Sequence, residues 1–334
     1  MVKYTGIKGY KIRSLASDPS PVSEGQLWYD TATDDLKYTG PGSGSWSAGG
    51  DMANNRRLCA TGGTQTDTYA GGSGPPHGTA CEEYNGSTWG TGGALPTGMS
   101  ANSGAGTTSA GLSFGGYAPS PPTNPGSRLC FEYNGIAWTD GGLVNTARAA
   151  GSGCGTQAAA LYAGGQGFDT PTASPVSSEE YNGAAWTYTN PLTWSAQLGY
   201  ACGTTGAALA AGYSPASPTQ TATYDGTSWS QVSPGAFAQD SYGSAIWGTA
   251  ASCLKAGGLP PSMTLTCDAW NGTTWSASTS KSVAQASGNA TGTTTLGLYF
   301  GGYDPANAPN YDVNSIKTEE WSQPTLSTKT VTVS

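Results

Sequence analysis

This 334-residue chain carries little charge, one histidine and no long apolar run. Lysine and arginine number 13 and aspartate and glutamate 21, so only 10% of its residues are charged, against about 25% in an average soluble protein. The net charge of −8 is opposite in sign to the field that binds phosphate, which argues against a nucleic acid partner. No stretch approaches the ~18 apolar residues of a membrane span, so no membrane partner is expected either.

Long runs of Ala, Leu, Glu and Lys, which favour helices, are missing as well. The basic N-terminus is not followed by an apolar segment, so a secretory signal is not expected. The chain contains instead 51 glycines, 21 prolines, 18 tyrosines and 11 tryptophans. This composition predicts an all-β protein whose strands are joined by many tight turns.

A repeat organises most of the chain. Six times, a glycine is followed nine residues later by a second glycine that usually begins a Gly-Gly pair, and an aromatic residue, here called the anchor, comes after it. The glycines are Gly62/Gly71, Gly106/Gly115, Gly155/Gly164, Gly203/Gly212, Gly248/Gly257 and Gly292/Gly301. The anchors are Tyr84, Tyr133, Tyr181, Tyr224, Trp270 and Trp321. Such a repeat predicts one small unit per copy, which buries its faces only by stacking on its neighbours.

Five of the anchors open a predicted hairpin that ends in a tryptophan. The copies read YNGSTW (84–89), YNGIAW (133–138), YNGAAW (181–186), YDGTSW (224–229) and WNGTTW (270–275). Asn-Gly or Asp-Gly between β-prone residues is a strong signal for a tight hairpin turn. With two further strands around the glycines, each unit of 43–51 residues is predicted to contain four strands.

This pattern resembles the kelch family, whose units carry a Gly-Gly pair followed by a Tyr and a Trp at similar spacing. The resemblance covers roughly residues 46–323 and implies a six-bladed β-propeller with four strands per blade. The arginine that kelch units often carry before their first strand is present only at Arg56 and Arg148. The chain departs from the family pattern in this respect.

The tryptophans indicate how the propeller would close. No hairpin tryptophan follows the sixth anchor, Trp321, whereas Trp46 precedes the first complete unit. We therefore expect a strand near Trp46 to complete the sixth blade, which would leave no open edge. The alternative donor is the alternating stretch from Leu326 to Val333. The predicted domains are an arm with a small hairpin over 1–45, the propeller over 46–323 and a tail strand over 324–334.

Three of the seven cysteines share one place in the repeat. Cys81, Cys130 and Cys267 lie three residues before their anchors, where the other units carry serine or threonine. This exchange is typical of a small buried filler and gives little support to disulfides or metal ligands.

The arm contains the phrase PVSEGQLWYDTATDDLKYTG (21–40). It resembles a short module near the start of many bacteriophage tail and fibre proteins, and the resemblance implies attachment to the virion. The alternative is a cap over the edge of the propeller. The candidate attachment residues are Lys3, Lys8, Lys11, Arg13, Trp28 and Tyr29.

The distance from each second glycine to its anchor varies from 12 to 20 residues, and the segments between them are rich in proline. Stiff loops on a rigid scaffold suit recognition, although surface loops also vary in length without consequence. The candidate recognition residues are Pro76, His77, Pro121, Pro122, Asn124, Phe168, Asp169, Pro215, Pro260, Asp304, Asn307 and Asn310.

Catalysis is not expected. Kelch propellers that resemble galactose oxidase hold copper with two histidines, and this chain has only His77. Sialidase-like propellers need an arginine cluster, and the chain shows neither that cluster nor the S-x-D-x-G-x-T-W box. The glutamate pairs recur at one repeat position, which is typical of a scaffold: Glu82/Glu83, Glu179/Glu180 and Glu319/Glu320. No metal or other cofactor is expected.

The sequence thus predicts a non-enzymatic bacteriophage structural protein located on the virion. Its arm would bind other virion proteins, and its propeller would be displayed for contact with a protein or the host surface. The alternative is a lectin-like propeller that binds a host glycan or receptor protein, and a remote one is an enzyme resembling galactose oxidase or a sialidase. A homo-oligomer is compatible with each of these.

Overall fold

A computed structural model describes residues 12–21, 23, 25–40, 42–73, 78–119, 126–167, 176–194, 197–213, 220–232, 243–259, 263–303, 314–323 and 326–331. Within these ranges every regular element is a β-strand. The chain divides into two compact units. One comprises residues 1–45 with 322–334, and the other comprises residues 46–321.

The first unit contains a four-stranded sheet, here called the arm sheet. Its strands are β1 (Arg13–Leu15), β2 (Leu27–Asp30), β3 (Asp35–Gly40) and β30 (Ser327–Thr330). They lie in the order β1-β2-β3-β30, and only β1 and β2 run parallel. The turn between β2 and β3 is fixed by the carboxylate of Asp30, which accepts a hydrogen bond from the backbone nitrogen of Ala32 at 2.8 Å.

Six further four-stranded sheets, here called sheets 1 to 6, follow the repeat. Sheet 1 contains β5 (Ala60–Thr64), β6 (Asp67–Gly71), β7 (Cys81–Tyr84) and β8 (Trp89–Thr91), and sheet 2 contains β9 (Ser103–Thr107), β10 (Ala110–Phe114), β11 (Cys130–Tyr133) and β12 (Trp138–Asp140). A short pair, β13 (Arg148–Ala149) and β16 (Gln166–Gly167), flanks sheet 3, which contains β14 (Ser152–Thr156), β15 (Ala159–Ala163), β17 (Ser178–Tyr181) and β18 (Trp186–Thr189).

The remaining sheets repeat the same order. Sheet 4 contains β19 (Gln197–Thr204), β20 (Ala207–Tyr213), β21 (Gln220–Tyr224) and β22 (Trp229–Val232). Sheet 5 contains β23 (Ala245–Thr249), β24 (Ser252–Ala256), β25 (Cys267–Trp270) and β26 (Trp275–Ala277). Sheet 6 contains β27 (Asn289–Gly292), β28 (Leu296–Phe300), β29 (Thr318–Ser322) and, as its outer strand, β4 (Ser45–Ala48).

The outer strand of sheet 6 therefore comes from the opposite end of the chain, around Trp46. The Trp46 ring packs against those of Trp247 and Trp321, with centroids 5.8 and 5.3 Å away. Its indole N–H donates to the carbonyl oxygen of Thr279 at 2.9 Å. The alternative donor, the stretch from Leu326 to Val333, instead provides β30 of the arm sheet.

The prediction of six four-stranded sheets is wrong in number, because the described residues form seven. The sequence predicted the hairpin of the arm and a strand in the tail, but neither β1 nor the pairing of the tail strand with the hairpin. An isolated hairpin is at best marginally stable in water, and additional strands supply the pairing that it lacks. Neither β1 nor β30 carries the repeat pattern, so the repeat could not show that they pair with the hairpin.

Sheets 1 to 6 follow one another around a common centre. Each innermost strand, from β5 through β9, β14, β19, β23 and β27, contacts the next, and β27 also contacts β5. Backbone hydrogen bonds link neighbouring sheets at the Gly-Gly pairs. The N–H of Gly116 donates to the oxygen of Arg148 at 2.8 Å, and that of Gly302 donates to the oxygen of Arg56 at 2.9 Å.

The glycine alignment needs one correction in the first unit. Gly63, with φ of 125°, and not Gly62, occupies the left-handed position of Gly106, which has φ of 93°. The pairing register agrees, because Gly63 lies opposite Thr68 as Gly106 lies opposite Gly111. Because 62–63 and 71–72 are both Gly-Gly pairs, Gly62/Gly71 and Gly63/Gly72 have the same spacing. The sequence alone therefore does not show which of the two corresponds to the glycines of the other units.

Candidate functional site

Buried carboxylates occur two residues before the anchor in four of the six sheets, and each is paired with a cation. The nitrogen-to-oxygen distances are 2.5 Å for Arg56–Glu82, 3.2 Å for Arg148–Glu179, 3.3 Å for Lys255–Asp268 and 2.9 Å for Lys281–Glu319. All eight side chains are almost fully buried. These groups hold each sheet together internally and are not available to a ligand.

Sheet 6 divides between two side chains the contacts that one arginine makes in sheets 1 and 3. Gln285 donates from Nε2 to the carbonyl oxygen of Gly301 at 2.8 Å, as Arg56 does to that of Gly72. Lys281 supplies the positive charge beside Glu319, and burial lowers the pKa of Lys281 to about 8. In sheet 6, Lys281 and Gln285 together thus take the place of the single arginine of sheets 1 and 3.

The carboxylate one residue before the anchor has a different partner, the anchor tyrosine of the next sheet. The hydroxyl-to-carboxylate distances are 2.5 Å for Tyr133–Glu83, 2.6 Å for Tyr181–Glu132, 2.6 Å for Tyr224–Glu180 and 2.5 Å for Tyr84–Glu320. The last of these joins sheet 1 to sheet 6. The other two anchors, Trp270 and Trp321, are not tyrosines. In the sheets that precede them, the residue one before the anchor is Thr223 and Ala269, respectively, and neither carries a carboxylate.

We expect these tyrosines to make stability fall at high pH. Burial, with a smaller contribution from the hydrogen bond to Glu83, raises the pKa of Tyr133 to about 12, whereas an unfolded tyrosine titrates near ~10. Stability is therefore complete below pH ~10 and declines toward pH ~12, because the unfolded chain loses its protons first. Thermal unfolding measured from pH 8 to 12 tests this.

The variant Tyr133→Phe should lose about 1.5–3 kcal/mol at neutral pH, the usual effect of losing a hydrogen bond to a charged group, and should show a shallower alkaline decline. Tyr188→Phe is the matched control, because its ring is 63% exposed. An unchanged alkaline decline in Tyr133→Phe would contradict the assignment.

The Cys, Ser and Thr that exchange three residues before the anchor face the hairpin tryptophan of the next sheet. Indole N–H groups donate to Thr318, Ser178 and Thr221 from Trp89, Trp229 and Trp275 at 2.9, 3.1 and 3.1 Å. Cys81 and Cys130 occupy the same place beside Trp138 and Trp186, whose indole nitrogens have no hydrogen-bond partner among the described residues. All seven cysteines are buried, in agreement with the prediction of small buried fillers.

The six innermost strands surround a central cavity of about 180 Å³. Its walls are built largely from glycine, alanine, serine and threonine. A Cβ at Gly104 would lie 2.3 Å from the backbone nitrogen of Thr61, so glycine is required for the close approach of these strands. Among the described residues that line the cavity there is no carboxylate, amine, guanidinium or imidazole. The cavity therefore offers neutral hydrogen-bonding groups and no acid–base pair.

Two buried amides of the cavity wall are incompletely hydrogen-bonded. Within the described ranges, Nδ2 of Asn289 and Oδ1 of Asn102 have no partner, and their residues are 3% and 4% exposed. The other end of the Asn102 amide is held, because Nδ2 donates to the oxygen of Gly71 and to Oγ of Ser113. Both unpaired atoms have almost no accessible surface, so they are buried within the wall and do not face the cavity.

The backbone that leads into the innermost strands is strained at equivalent positions. Leu58, Ala101, Ala150 and Ser287 have φ between 46° and 57°, a left-handed conformation that costs a non-glycine residue about 1–3 kcal/mol. Hydrogen bonds between neighbouring sheets hold it: the N–H of Ala150 donates to the oxygen of Ala101 at 2.9 Å, and that of Leu58 to Ser287 at 3.2 Å. Three of these residues, Leu58, Ala101 and Ala150, line the cavity.

The predicted attachment residues are only partly described. Arg13 is exposed on β1, and Tyr29 is half-buried with its hydroxyl donating to Asp34. Trp28 is 0% exposed, so its side chain offers no surface to a partner. Lys3, Lys8 and Lys11 lie outside the described residues.

The predicted recognition residues all lie outside the described residues, and so does the single histidine, His77. They are Pro76, His77, Pro121, Pro122, Asn124, Phe168, Asp169, Pro215, Pro260, Asp304, Asn307 and Asn310. Across the part of the chain that is described, no group of three or more His, Cys, Asp or Glu could hold a metal ion. The same part contains no helix long and apolar enough to cross a membrane.

Comparisons with known proteins identify the fold. No family model matches the chain, and no curated protein does. Among solved structures, one titled "Structure of YjhT" is similar with a TM-score of 0.68 and 12% identity, over 85% of this chain and 100% of that chain. At this identity the similarity shows the fold alone, which is a β-propeller.

Proposed function

We propose that this chain is a non-enzymatic recognition propeller, six-bladed and kelch-like, displayed on a bacteriophage virion. The observation that carries the non-enzymatic part is the neutral central cavity, whose described lining has no acid–base pair. Glu179 and Lys281, which are buried groups of the kind that also serve in catalysis, form ion pairs with Arg148 and Glu319. Blade closure by β4 fits this proposal, since a closed ring keeps a displayed domain free of exposed edges.

Attachment through the arm is supported by two observations. The sequence at 21–40 resembles the module near the start of phage tail and fibre proteins. Residues 1–45 and 322–334 also form a compact unit of their own with a separate sheet, distinct from the repeat. A separate unit that gathers both chain ends is suited to joining other virion proteins while the repeat carries the displayed surface.

The test is a truncation that removes residues 1–41 and 324–334 and retains β4. The truncated chain should keep a cooperative thermal transition and the spectrum of a β protein, and it should fail to join particles. As a control, replacing 304–310 by a Gly-Ser linker in the full chain should leave incorporation unchanged. Normal incorporation of the truncated chain would refute the attachment proposal.

A second candidate function, a lectin-like propeller that binds a host glycan or receptor, is favoured by the neutral hydrogen-bonding groups that line the central cavity. It is compatible with display on a virion, since a displayed propeller can also bind. An enzyme resembling galactose oxidase or a sialidase has no such observation in its favour.

A further inference from the structure

We propose that one face of the arm sheet, here called the open face, is a docking surface for a second copy of this chain, so that two arm sheets pack face to face about a two-fold axis. The inference goes beyond the attachment of the arm to the virion and does not depend on it. Three properties of the sheet lead to it: the placement of its apolar side chains, the charges at the two ends of the open face, and its area.

The pairing register assigns the side chains of the arm sheet to two faces. Residues opposite one another share a face, and successive residues of a strand alternate between faces. Leu27 lies opposite Tyr38 on the open face, and Tyr29 lies opposite Leu36 on the same face. The alternation of β1 and of β30 adds one apolar residue from each end of the chain. The six large apolar side chains of the open face are thus Ile12, Leu27, Tyr29, Leu36, Tyr38 and Val331.

The arm sheet is polar on its buried face and apolar on its open face. The buried face contains Trp28, which is 0% exposed, and the carboxylate of Asp30, which pairs with Lys37 at 2.5 Å. Asp18 lies beside the same face, 3.8 Å from Lys37. An antiparallel sheet with one solvated face normally shows the reverse, with apolar residues inward and polar residues outward.

None of the six apolar side chains is fully buried within the described residues. Ile12 and Tyr38 are 39% and 36% exposed, and the other four are half-buried. Neighbouring apolar side chains that remain accessible on one surface are typical of a contact with another protein. The inverted polarity of the sheet therefore indicates that the open face is covered when the protein is assembled.

The charges at the two ends of the open face identify the occupant. Lys329 lies opposite Tyr38 toward one end. Asp34 lies in the turn at the other end, where its carboxylate accepts a hydrogen bond from the hydroxyl of Tyr29. Four residues, or about 14 Å along β3, separate the two charges.

Two open faces are complementary to each other because of this arrangement. A two-fold axis that lies between them, perpendicular to the strands, reverses the strand direction from one copy to the other. It brings Lys329 of each copy toward Asp34 of the other, while the apolar side chains between these charges pack on one another. An isologous dimer requires a surface that complements itself in this way. A second copy is therefore the occupant that the charges favour over a different protein.

The area of the open face predicts a weak dimer. Four strands spaced about 4.8 Å apart, with about five residues of about 3.4 Å each, give a face of about 320 Å². Two such faces bury on the order of 600–900 Å² in total, which is less than the roughly 1,200–2,000 Å² of a stable complex. We therefore expect monomer and dimer to exchange, with the dimer favoured at high protein concentration.

The experiment measures association of the full-length protein by sedimentation equilibrium from about 5 µM to about 1 mM. The unaltered protein should shift from monomer toward dimer over this range. Leu36→Glu, which places a carboxylate among the apolar side chains, should weaken association at least tenfold. Thr330→Glu is the matched control, because it adds the same charge to an exposed position on the opposite face of the sheet. It should associate as the unaltered protein does.

Exchange of the two charges tests the geometry of the dimer. Lys329→Glu alone brings two carboxylates together at each contact, and Asp34→Lys alone brings two amines together. Each variant should therefore associate at least tenfold more weakly than the unaltered protein. An equimolar mixture of the two variants should recover the dimer, because both contacts then join opposite charges. A purely structural role of either residue would not give this recovery.

A protein that stays monomeric up to about 1 mM would overturn the inference. Unchanged association of Leu36→Glu would also overturn it, as would a mixture that associates no better than its two components. Should Leu36→Glu unfold the arm sheet, the mixture decides alone. A monomeric protein that Leu36→Glu prevents from joining particles would show that a virion protein, and not a second copy, covers the open face. A protein that dimerises but joins particles without its arm would refute the attachment proposal alone.

Discussion

Replacing Arg148 by methionine is expected to lower the free energy of unfolding by about 3–5 kcal/mol, because it leaves a buried carboxylate without its counter-ion. The guanidinium lies 3.2 Å from Glu179 and donates to the oxygens of Ser177 and Tyr162 at 2.6 and 3.1 Å. It also stacks over the Tyr162 ring, 4.1 Å from the centroid. Arg148→Met removes all of these interactions at once. Urea and thermal unfolding, followed by tryptophan fluorescence, measure the loss.

Sheet 2 supplies the control, because its residues at the positions of Arg148 and Glu179 are uncharged. Met99 occupies the position of Arg148, and Phe131 that of Glu179. The Glu179 carboxylate accepts from the backbone N–H of Asn145 at 2.7 Å, and the equivalent residue of sheet 2 is Pro96, which has no N–H. Sheet 2 thus lacks one of the two backbone donors to this carboxylate, the other being the N–H of Thr146, at 3.1 Å.

The triple variant Arg148→Met, Glu179→Phe, Asn145→Pro therefore copies sheet 2 into sheet 3. It should recover a substantial part of the stability that Arg148→Met loses, as replacement of a buried ion pair by packed apolar groups often does. If the triple variant is no more stable than Arg148→Met, the loss did not come from the unpaired charge, and the equivalence of the two sheets is wrong.

Much of the propeller could be predicted from the sequence because its signals are local and repeated. The turn glycines and the hairpins can each be recognised from a few neighbouring residues. Agreement among the copies of the repeat supports the assignment of each one. The first unit shows the limit of this approach. Two adjacent glycine pairs permit two alignments, and only the opposition of Gly63 to Thr68 decides between them. That choice also places Tyr69, which is 0% exposed, at the position of Leu112 in sheet 2.

The candidate site could not be predicted because it depends on contacts between sheets. Leu58, Ala101, Ala150 and Ser287 have no side-chain chemistry in common, and only the backbone shows that they share a conformation. Asn289 is likewise unremarkable in the sequence. Of its counterparts in the other sheets, Ser103 and Tyr200 use their hydroxyls within the scaffold, whereas Nδ2 of Asn289 has no partner among the described residues. A repeat predicts what its copies share, whereas a binding site depends on where one copy differs.

The pairing of anchors with carboxylates suggests how the order of the sheets is specified. A tyrosine anchor follows a sheet that offers a glutamate, and a tryptophan anchor follows one that does not. Trp270 and Trp321 satisfy their indole N–H groups on the carbonyl oxygens of Ala250 and Thr294 instead. A misplaced sheet would leave a half-buried carboxylate or the hydroxyl of a buried tyrosine unpaired, so the pattern disfavours wrong neighbours.

Trp46→Ala should destabilise the second unit by about 3 kcal/mol, at the low end for a tryptophan because Trp46 is only half-buried. The change removes the packing on Trp247 and Trp321 and the hydrogen bond to Thr279. It also loosens β4, the only strand of sheets 1 to 6 that is supplied from the other end of the chain. Once β4 detaches, the edge of β29 is unpaired and available to another chain. We therefore expect dimers or larger species in addition to the loss of stability.

Trp138→Ala separates these two effects. Trp138 is the corresponding residue of sheet 2, 6% exposed and stacked on Tyr133 with centroids 4.7 Å apart. Its loss should destabilise the protein at least as much, yet β12 follows β11 directly in the chain and stays in place. Size-exclusion chromatography with light scattering, over a range of protein concentrations, should thus show association for Trp46→Ala and a monomeric or unchanged state for Trp138→Ala. Equal behaviour of the two variants would mean that β4 does not close the ring, since an edge exposed at one sheet alone must distinguish them.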